Sequence, residues 1–121
     1  MELKIHTKNN ISIAEVVSEK IEIKTVQDAL DLLGNADYLG ARKIIVHEKN
    51  IIADFFELKT RLAGDILQKF SNYQVDFAII GDFENVTSKS LHDFIYESNK
   101  GGRVLFLPSV ADVLARWGAV S

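Results

Sequence analysis

The chain has 121 residues, of which 47% are hydrophobic and 26% are charged, a balance typical of a folded domain with a substantial core. Its net charge of −3 excludes the strongly basic surface expected of a nucleic-acid-binding protein. Cysteine is absent, which excludes disulfides, thiolate catalysis and cysteine-ligated zinc. We expect a single domain over residues 1–121. Without a signal-peptide pattern or an apolar stretch of ~20 residues, we also expect a cytoplasmic protein with no membrane span.

The first half of the chain begins with a predicted antiparallel hairpin. Apolar residues alternate on both sides of Lys8-Asn9-Asn10, and asparagine tolerates the positive φ of a tight turn. A helix follows, because Thr25 and Asp28 have capping-box spacing and apolar residues then recur at i, i+3, i+4 and i+7. Gly34 or Gly40 marks its end.

The second half alternates strands with helices. Three apolar runs predict strands buried on both faces of a parallel sheet, at residues 44–46, 75–80 and 104–107. A helix-cap signal follows each run, at Asp54 with Glu57, at Thr87 or Ser88, and at Ser109. The order β-β-α-β-α-β-α-β-α predicts an α/β fold: a mixed sheet with parallel central strands, an N-terminal antiparallel hairpin at one edge, and helices packed across it.

The candidate binding residues lie in two segments that leave neighbouring strands. In open α/β sheets, ligands bind beyond the carboxyl ends of the parallel strands, where helices begin. The candidates are His47, Asp54, Phe55, Phe56 and Thr60 in the first segment, and Asp82, Phe83, Thr87, Ser88, Lys89 and Ser90 in the second. The hydroxyls and the ammonium of the second segment suit a phosphate or a carboxylate, although helix capping alone also explains them. Of the two phenylalanines, we expect one to be buried and the other to line a pocket or a partner surface.

His47 is the candidate for acid–base chemistry, with Asp54 or Asp82 as its partner. The chain has no nucleophile-elbow motif, no Walker loop and no G-x-G-x-x-G motif. No two histidines have a recognisable metal-ligand spacing. We therefore expect no metal and no cofactor.

Nearly the whole chain resembles the bacterial domain-of-unknown-function 4180 (DUF4180) family. The segments that carry the resemblance are Val26–Leu32, Phe55–Thr60 with Ala63-Gly64, Leu67–Tyr73, Gly81–Phe83, Thr87–Leu91 and Phe94–Gly101. The resemblance implies a small, stand-alone bacterial protein. It implies no particular activity.

The element order is similar, more remotely, to the STAS superfamily, the fold of anti-sigma-factor antagonists and their lipid-binding relatives. In the phosphorylated antagonists a strand is followed by Asp-Ser-Ser or Asp-Ser-Thr at the next helix start. The corresponding stretch here, Asp54-Phe55-Phe56, keeps the acid and lacks the phosphoacceptor, and Thr60 lies too far along to replace it. The resemblance therefore does not imply a kinase-controlled switch. Ile79-Ile80-Gly81-Asp82 and Trp117 match the outline of a non-phosphorylated subset.

Three functional hypotheses remain open. The leading one is a non-enzymatic regulatory module that presents Asp54–Thr60 and Asp82–Ser90 to a protein partner or to a small apolar or anionic ligand. The first alternative is a small enzyme that uses His47 with Asp54 or Asp82. The second is a homodimer that pairs through the exposed edge of the hairpin, because an open strand edge is a template for another chain.

Overall fold

A computed structural model describes residues 1–118 of the chain. Within them, one five-stranded sheet has the order β1-β2-β3-β4-β5, with β1 at Glu2–Lys8, β2 at Ile11–Val17, β3 at Lys43–His47, β4 at Asp76–Ile80 and β5 at Val104–Leu107. The helices are α1 at Val26–Tyr38, α2 at Leu62–Asn72, α3 at Lys89–Gly101 and α4 at Val110–Gly118. β1 is antiparallel to β2 and the other neighbouring pairs are parallel. The predicted α/β fold is confirmed.

Local turn and cap residues act as the sequence predicts. Asn9 and Asn10 have φ angles of 52° and 66°, so both adopt the left-handed conformation that a two-residue hairpin turn requires. The Thr25 side chain accepts from the Asp28 N–H, and the Asp28 carboxylate accepts from the Thr25 N–H. Of the two predicted ends of α1, Gly40 is right: its φ is 80°, whereas Gly34 lies inside the helix.

The helices are distributed unevenly over the two faces of the sheet. Successive residues of a strand face opposite sides. On the first face, side chains such as Ile44 and Phe77 pack in one cluster with α1, α2 and α3. On the second face, Ile45 and Leu105 pack with Trp117 of α4. The second face is therefore covered by a single helix among the described residues.

The prediction of a helix beginning at Asp54 is wrong. Residues Ala53–Phe56 and Leu58–Thr60 form two 3₁₀ turns, and α2 begins only at Leu62. The Thr60 hydroxyl donates to the carbonyls of Asp54 and Glu57, both at 2.8 Å, and so satisfies backbone acceptors that a continuous helix would use. Arg61 then adopts a left-handed conformation, with φ 67°, which interrupts any helix at that point.

Asn50 fixes the connection that follows β3. It is completely buried, and its Nδ2 donates to the carbonyls of Ser18 and Lys20 at 2.9 and 2.8 Å. Its own carbonyl accepts from the N–H groups of Glu22 and Ile23 at 2.8 and 2.9 Å. One residue thus joins two loops, and it positions the segment from which the 3₁₀ turns start.

Candidate functional site

Two segments at the carboxyl ends of β3 and β4 enclose a groove of about 490 Å³. We call it the carboxyl-edge groove. It is lined by Phe56, Glu57, Leu58, Lys59, Asn85, Val86, Thr87, Ser88, Ser90 and Leu91. The parallel strands place the loops that follow them at one edge of the sheet, which brings these residues together.

The floor of the groove is apolar and its rim is polar. Phe56, Leu58, Val86 and Leu91 are half-buried and pack against the large core cluster. Lys59 and the hydroxyl residues of the second segment are exposed at the rim. The groove is therefore amphipathic, as small-molecule sites commonly are.

The adjacent phenylalanines have different surroundings. Phe55 is 1% exposed and belongs to the core, whereas Phe56 is half-buried and lines the groove. Their rings meet edge to face, with centroids 5.1 Å apart. The Phe56 ring also lies 6.1 Å from that of Phe83, which in turn lies 5.3 Å from Phe106 on β5. A row of aromatic rings thus runs from the groove to β5.

The sequence-predicted residues do not all reach the groove. Phe56, Thr87, Ser88 and Ser90 line it, whereas Asp54, Phe55, Thr60 and Lys89 lie outside its lining. The Lys89 ammonium bonds the Asp93 carboxylate at 2.8 Å, one helical turn further along α3. That hydrogen bond and the charge of Asp93 raise the pKa of Lys89 above its ordinary value.

Of the four hydroxyl residues among the candidates, Thr60 and Ser88 form structural hydrogen bonds through their side chains, and Thr87 and Ser90 form none within residues 1–118. The Ser88 hydroxyl accepts from the Leu91 N–H at 3.2 Å and caps α3. The Thr60 hydroxyl is occupied by the two carbonyls described above. Across the described residues, no hydrogen bond involves the side chains of Thr87 or Ser90.

His47 bonds the carboxylate of Glu15 rather than that of Asp54 or Asp82. Its Nε2 lies 2.7 Å from Oε2 of Glu15, while Nε2 of His6 lies 2.8 Å from Oε1 of the same side chain. Burial of Glu15 favours its neutral form, but the hydrogen bonds and charges of both histidines outweigh burial and lower the pKa of this carboxyl. Within residues 1–118, no hydrogen bond joins His47 to Asp54 or Asp82.

The hairpin register contains the signal that would have found this cluster. The turn at Asn9-Asn10 pairs Lys4 with Glu15 and His6 with Ile13. Paired residues share a face of the sheet, so His6 and Glu15 are diagonal neighbours on the second face. His47 lies on the same face, because it is two residues from Ile45 on β3.

A second cavity, of about 540 Å³, lies beside the groove. Its lining includes Asp82 and Phe83 from the predicted segment, together with His92, Tyr96 and Asn99 of α3, which sequence reasoning missed. Phe83 lines this cavity and contacts Phe56 of the groove, so the two cavities are neighbours. The exposed carboxylates of Asp82 and Glu84 make its rim acidic, unlike that of the groove.

The described part of the chain has neither a metal-binding cluster nor a helix suited to crossing a membrane. Residues 1–118 contain no group of three or more His, Asp or Glu side chains placed to hold a metal ion. None of the helices described is both long and apolar enough to cross a membrane.

The amino-acid sequence matches one protein family over almost its whole length. Residues 8–117 match the family described as "Domain of unknown function (DUF4180)". The chain belongs to the DUF4180 family. No curated protein and no solved structure matches it. The DUF4180 prediction is therefore confirmed, and the remote resemblance to the STAS superfamily stays a prediction.

Proposed function

We propose that this DUF4180 protein is a non-enzymatic binding module whose carboxyl-edge groove holds a small ligand with an apolar body and one anionic group. The observation that carries the proposal is the amphipathic lining, in which half-buried Phe56, Leu58, Val86 and Leu91 lie beneath exposed polar side chains. The volume of about 490 Å³ falls within the range of small-molecule pockets.

The apolar floor supplies the affinity for the body of the ligand. Each methylene group removed from water on this floor contributes about 0.8 kcal/mol. An unbranched chain that covers Phe56, Leu58 and Leu91 therefore gains several kcal/mol before the entropic cost of binding is subtracted.

The anionic group is favoured at the end of the groove where α3 begins. The first N–H groups of a helix have no intrahelical acceptor, and Ser88 satisfies only that of Leu91. The helix dipole adds a partial positive charge there. Thr87 and Ser90 offer hydroxyls beside these N–H groups. Since Lys59 and Glu57 are of opposite charge on the facing side, we expect a single anionic group rather than several.

The capping role of the Ser88 hydroxyl supports binding rather than catalysis. A serine or threonine nucleophile needs a general base within hydrogen-bond reach. Ser88 instead caps a helix, and the groove lining contains no histidine. The enzyme hypothesis stays a prediction, and no hydrogen bond of residues 1–118 brings its three residues together.

Isothermal titration with decanoate tests the proposal. We expect saturable binding by the wild-type protein and weaker binding of decanol, which has the same chain without the charge. Ser90→Trp places a bulky side chain in the groove at an exposed position of α3 and should abolish binding. Glu97→Trp is the matched control, because this exposed residue of the same helix lines neither the groove nor the neighbouring cavity. Equal binding by the two tryptophan variants, or none by the wild type, would refute the proposal.

Self-association is a second candidate, favoured by the position of β1. This strand lies at one edge of the sheet; its Ile5 is 37% exposed, and Met1, which precedes it, is 55% exposed. Edge strands with unpaired backbone groups readily pair with another copy. We expect light scattering to show a dimer that Ile5→Lys converts into a monomer. A monomeric wild-type protein at millimolar concentration would exclude this candidate.

A further inference from the structure

A cationic depression lies at the amino edge of the sheet, at the opposite end of the strands from the groove. Its volume is about 350 Å³. Its charged groups are those of Arg42 just before β3, Lys43 at the start of β3, Asp76 at the start of β4, and Arg103 just before β5. We call these four residues and the space they enclose the cationic notch.

The notch carries a local excess of positive charge in an acidic protein. Its three cations face one carboxylate, whereas the whole chain has a formal charge of −3. Asp76 accepts from the Lys43 ammonium through Oδ2 and from Arg103 Nε through Oδ1, the latter at 3.1 Å. One carboxylate thus serves two cations, which leaves the notch with about two positive charges. A concave site of one sign attracts ligands of the opposite charge.

Both guanidinium groups are held in place but only partly used. Arg103 is tied through Nε, and Arg42 donates through Nη1 to the carbonyl of Tyr73 at 2.9 Å. In residues 1–118, no hydrogen bond uses the terminal nitrogens of Arg103 or the Nε and Nη2 of Arg42. Oriented donors with unused capacity are well suited to the oxygens of a phosphate or a carboxylate.

Tight turns surround the notch and add neutral donors. Asn10, Gly40 and Gln74 line it and precede β2, β3 and β4, and all three are left-handed, with φ angles of 66°, 80° and 57°. This conformation costs an ordinary side chain such as that of Gln74 roughly 1–2 kcal/mol. The Ser12 hydroxyl and the amides of Asn10 and Gln74 stand beside the cations.

We propose that the cationic notch binds a small oxyanion with two negative charges, of which a phosphate group is the best example, either free or as a monoester. The free nitrogens of Arg42 and Arg103 contact its oxygens. Lys43 bonds Asp76 and lies over the Trp117 ring, so it contributes only through the net positive charge of the notch. A volume of about 350 Å³ accommodates one such group with a small substituent. The inference is independent of the proposed function, since the notch and the groove lie at opposite ends of the strands.

Amide NMR spectra recorded while phosphate is added to the 121-residue chain test this inference. Inorganic phosphate should produce saturable shifts at Ser12, Arg42 and Gln74, whereas chloride at equal ionic strength should not. Phenyl phosphate distinguishes the two sources: tighter binding than that of phosphate indicates a monoester, and weaker binding indicates the free ion. Either order is compatible with the site. Shifts that do not saturate, or that chloride reproduces, would overturn it.

Matched arginine variants distinguish specific phosphate binding at the notch from non-specific attraction by positive charge. Arg42→Gln should weaken phosphate binding by about tenfold or more, because it removes hydrogen bonds to a charged group. Arg116→Gln is the control: it removes the same charge, and Arg116 likewise donates to a backbone carbonyl, that of Asn99, but does not line the notch. Arg42→Lys should restore only part of the affinity. Equal losses in Arg42→Gln and Arg116→Gln would refute the assignment.

Discussion

Asn50 provides the sharpest test of how the loops around the groove are held. Asn50→Ala removes two hydrogen bonds, those from Nδ2 to the carbonyls of Ser18 and Lys20. Each is worth about 1 kcal/mol. Because Lys20 is an exposed residue, we expect water to reach its carbonyl in the variant, which limits the loss. The alanine also removes the buried Oδ1, which has no partner in residues 1–118. We therefore expect a loss of about 2 kcal/mol in the free energy of unfolding.

Asn50→Asp is the matched substitution, because it keeps the shape and removes the donor. The introduced carboxylate would face two carbonyl oxygens in a fully buried site, so we expect a loss of at least ~3 kcal/mol at pH 7. Lowering the pH should reduce the difference in the free energy of unfolding between Asn50→Asp and Asn50→Ala, since a protonated carboxyl regains one hydrogen-bond donor.

Urea unfolding followed by circular dichroism measures both losses. The slope of the free energy against urea should stay unchanged, which shows that the folded state remains equally compact. The reasoning is refuted if Asn50→Ala costs less than ~0.5 kcal/mol, within the range of ordinary surface substitutions. It is also refuted if Asn50→Asp is as stable as the wild type at neutral pH.

The remaining predictions concern single residues. The carboxyl of Glu15 has a pKa below its ordinary value of 4.5. Its stabilising effect is therefore present above that pH and is lost as the pH falls through the folded-state pKa. We expect the urea midpoints of Glu15→Gln and the wild type to converge in acid. Gly81→Ala would place a Cβ 2.9 Å from Cζ of Phe83 and should lower the free energy of unfolding by about 1–3 kcal/mol. In Gly64→Ala, in α2, the added Cβ meets nothing within 4 Å, so we expect a higher melting temperature and a gain of about 0.5–1 kcal/mol in the free energy of unfolding. Gln74→Gly should stabilise by about 1 kcal/mol in the same thermal assay, because it relieves the left-handed conformation.

Sequence patterns predict the fold well where a few neighbouring residues decide the structure. The capping box of Thr25 and Asp28 and the turn at Asn9-Asn10 depend only on local hydrogen bonds and φ preferences, and both are confirmed. For residues 54–60 the local pattern predicts the wrong structure, because other local contacts compete with the helix. A capping pattern is present there, but the hydroxyl of Thr60 competes for the backbone carbonyls and Arg61 turns left-handed.

Of the candidate site, the sequence predicts the part that depends on strand direction, namely which loops converge at one edge of the sheet. Parallel strands bring their carboxyl ends to one edge, so the convergence of the segments around Phe56 and Ser88 follows from the strand order. Which side chains meet across strands also depends on which strands are neighbours, and the spacing of motifs along the chain does not give that order. His47 therefore meets Glu15 rather than an acid of the following loops, and β2 lies beside β3 to make this contact.

The direction of the strands also keeps the two edges electrically distinct. Strand β4 has five residues and begins at Asp76 of the notch, and the acidic loop containing Asp82 and Glu84 follows its other end. At ~3.3 Å per residue the two edges are roughly 17 Å apart, about twice the ~8 Å Debye length at physiological ionic strength. The acidic loop therefore cannot cancel the positive potential of the notch, even though the protein as a whole is negative. A net charge computed over a whole chain hides such a site, because screening makes each edge of the sheet a separate electrostatic environment.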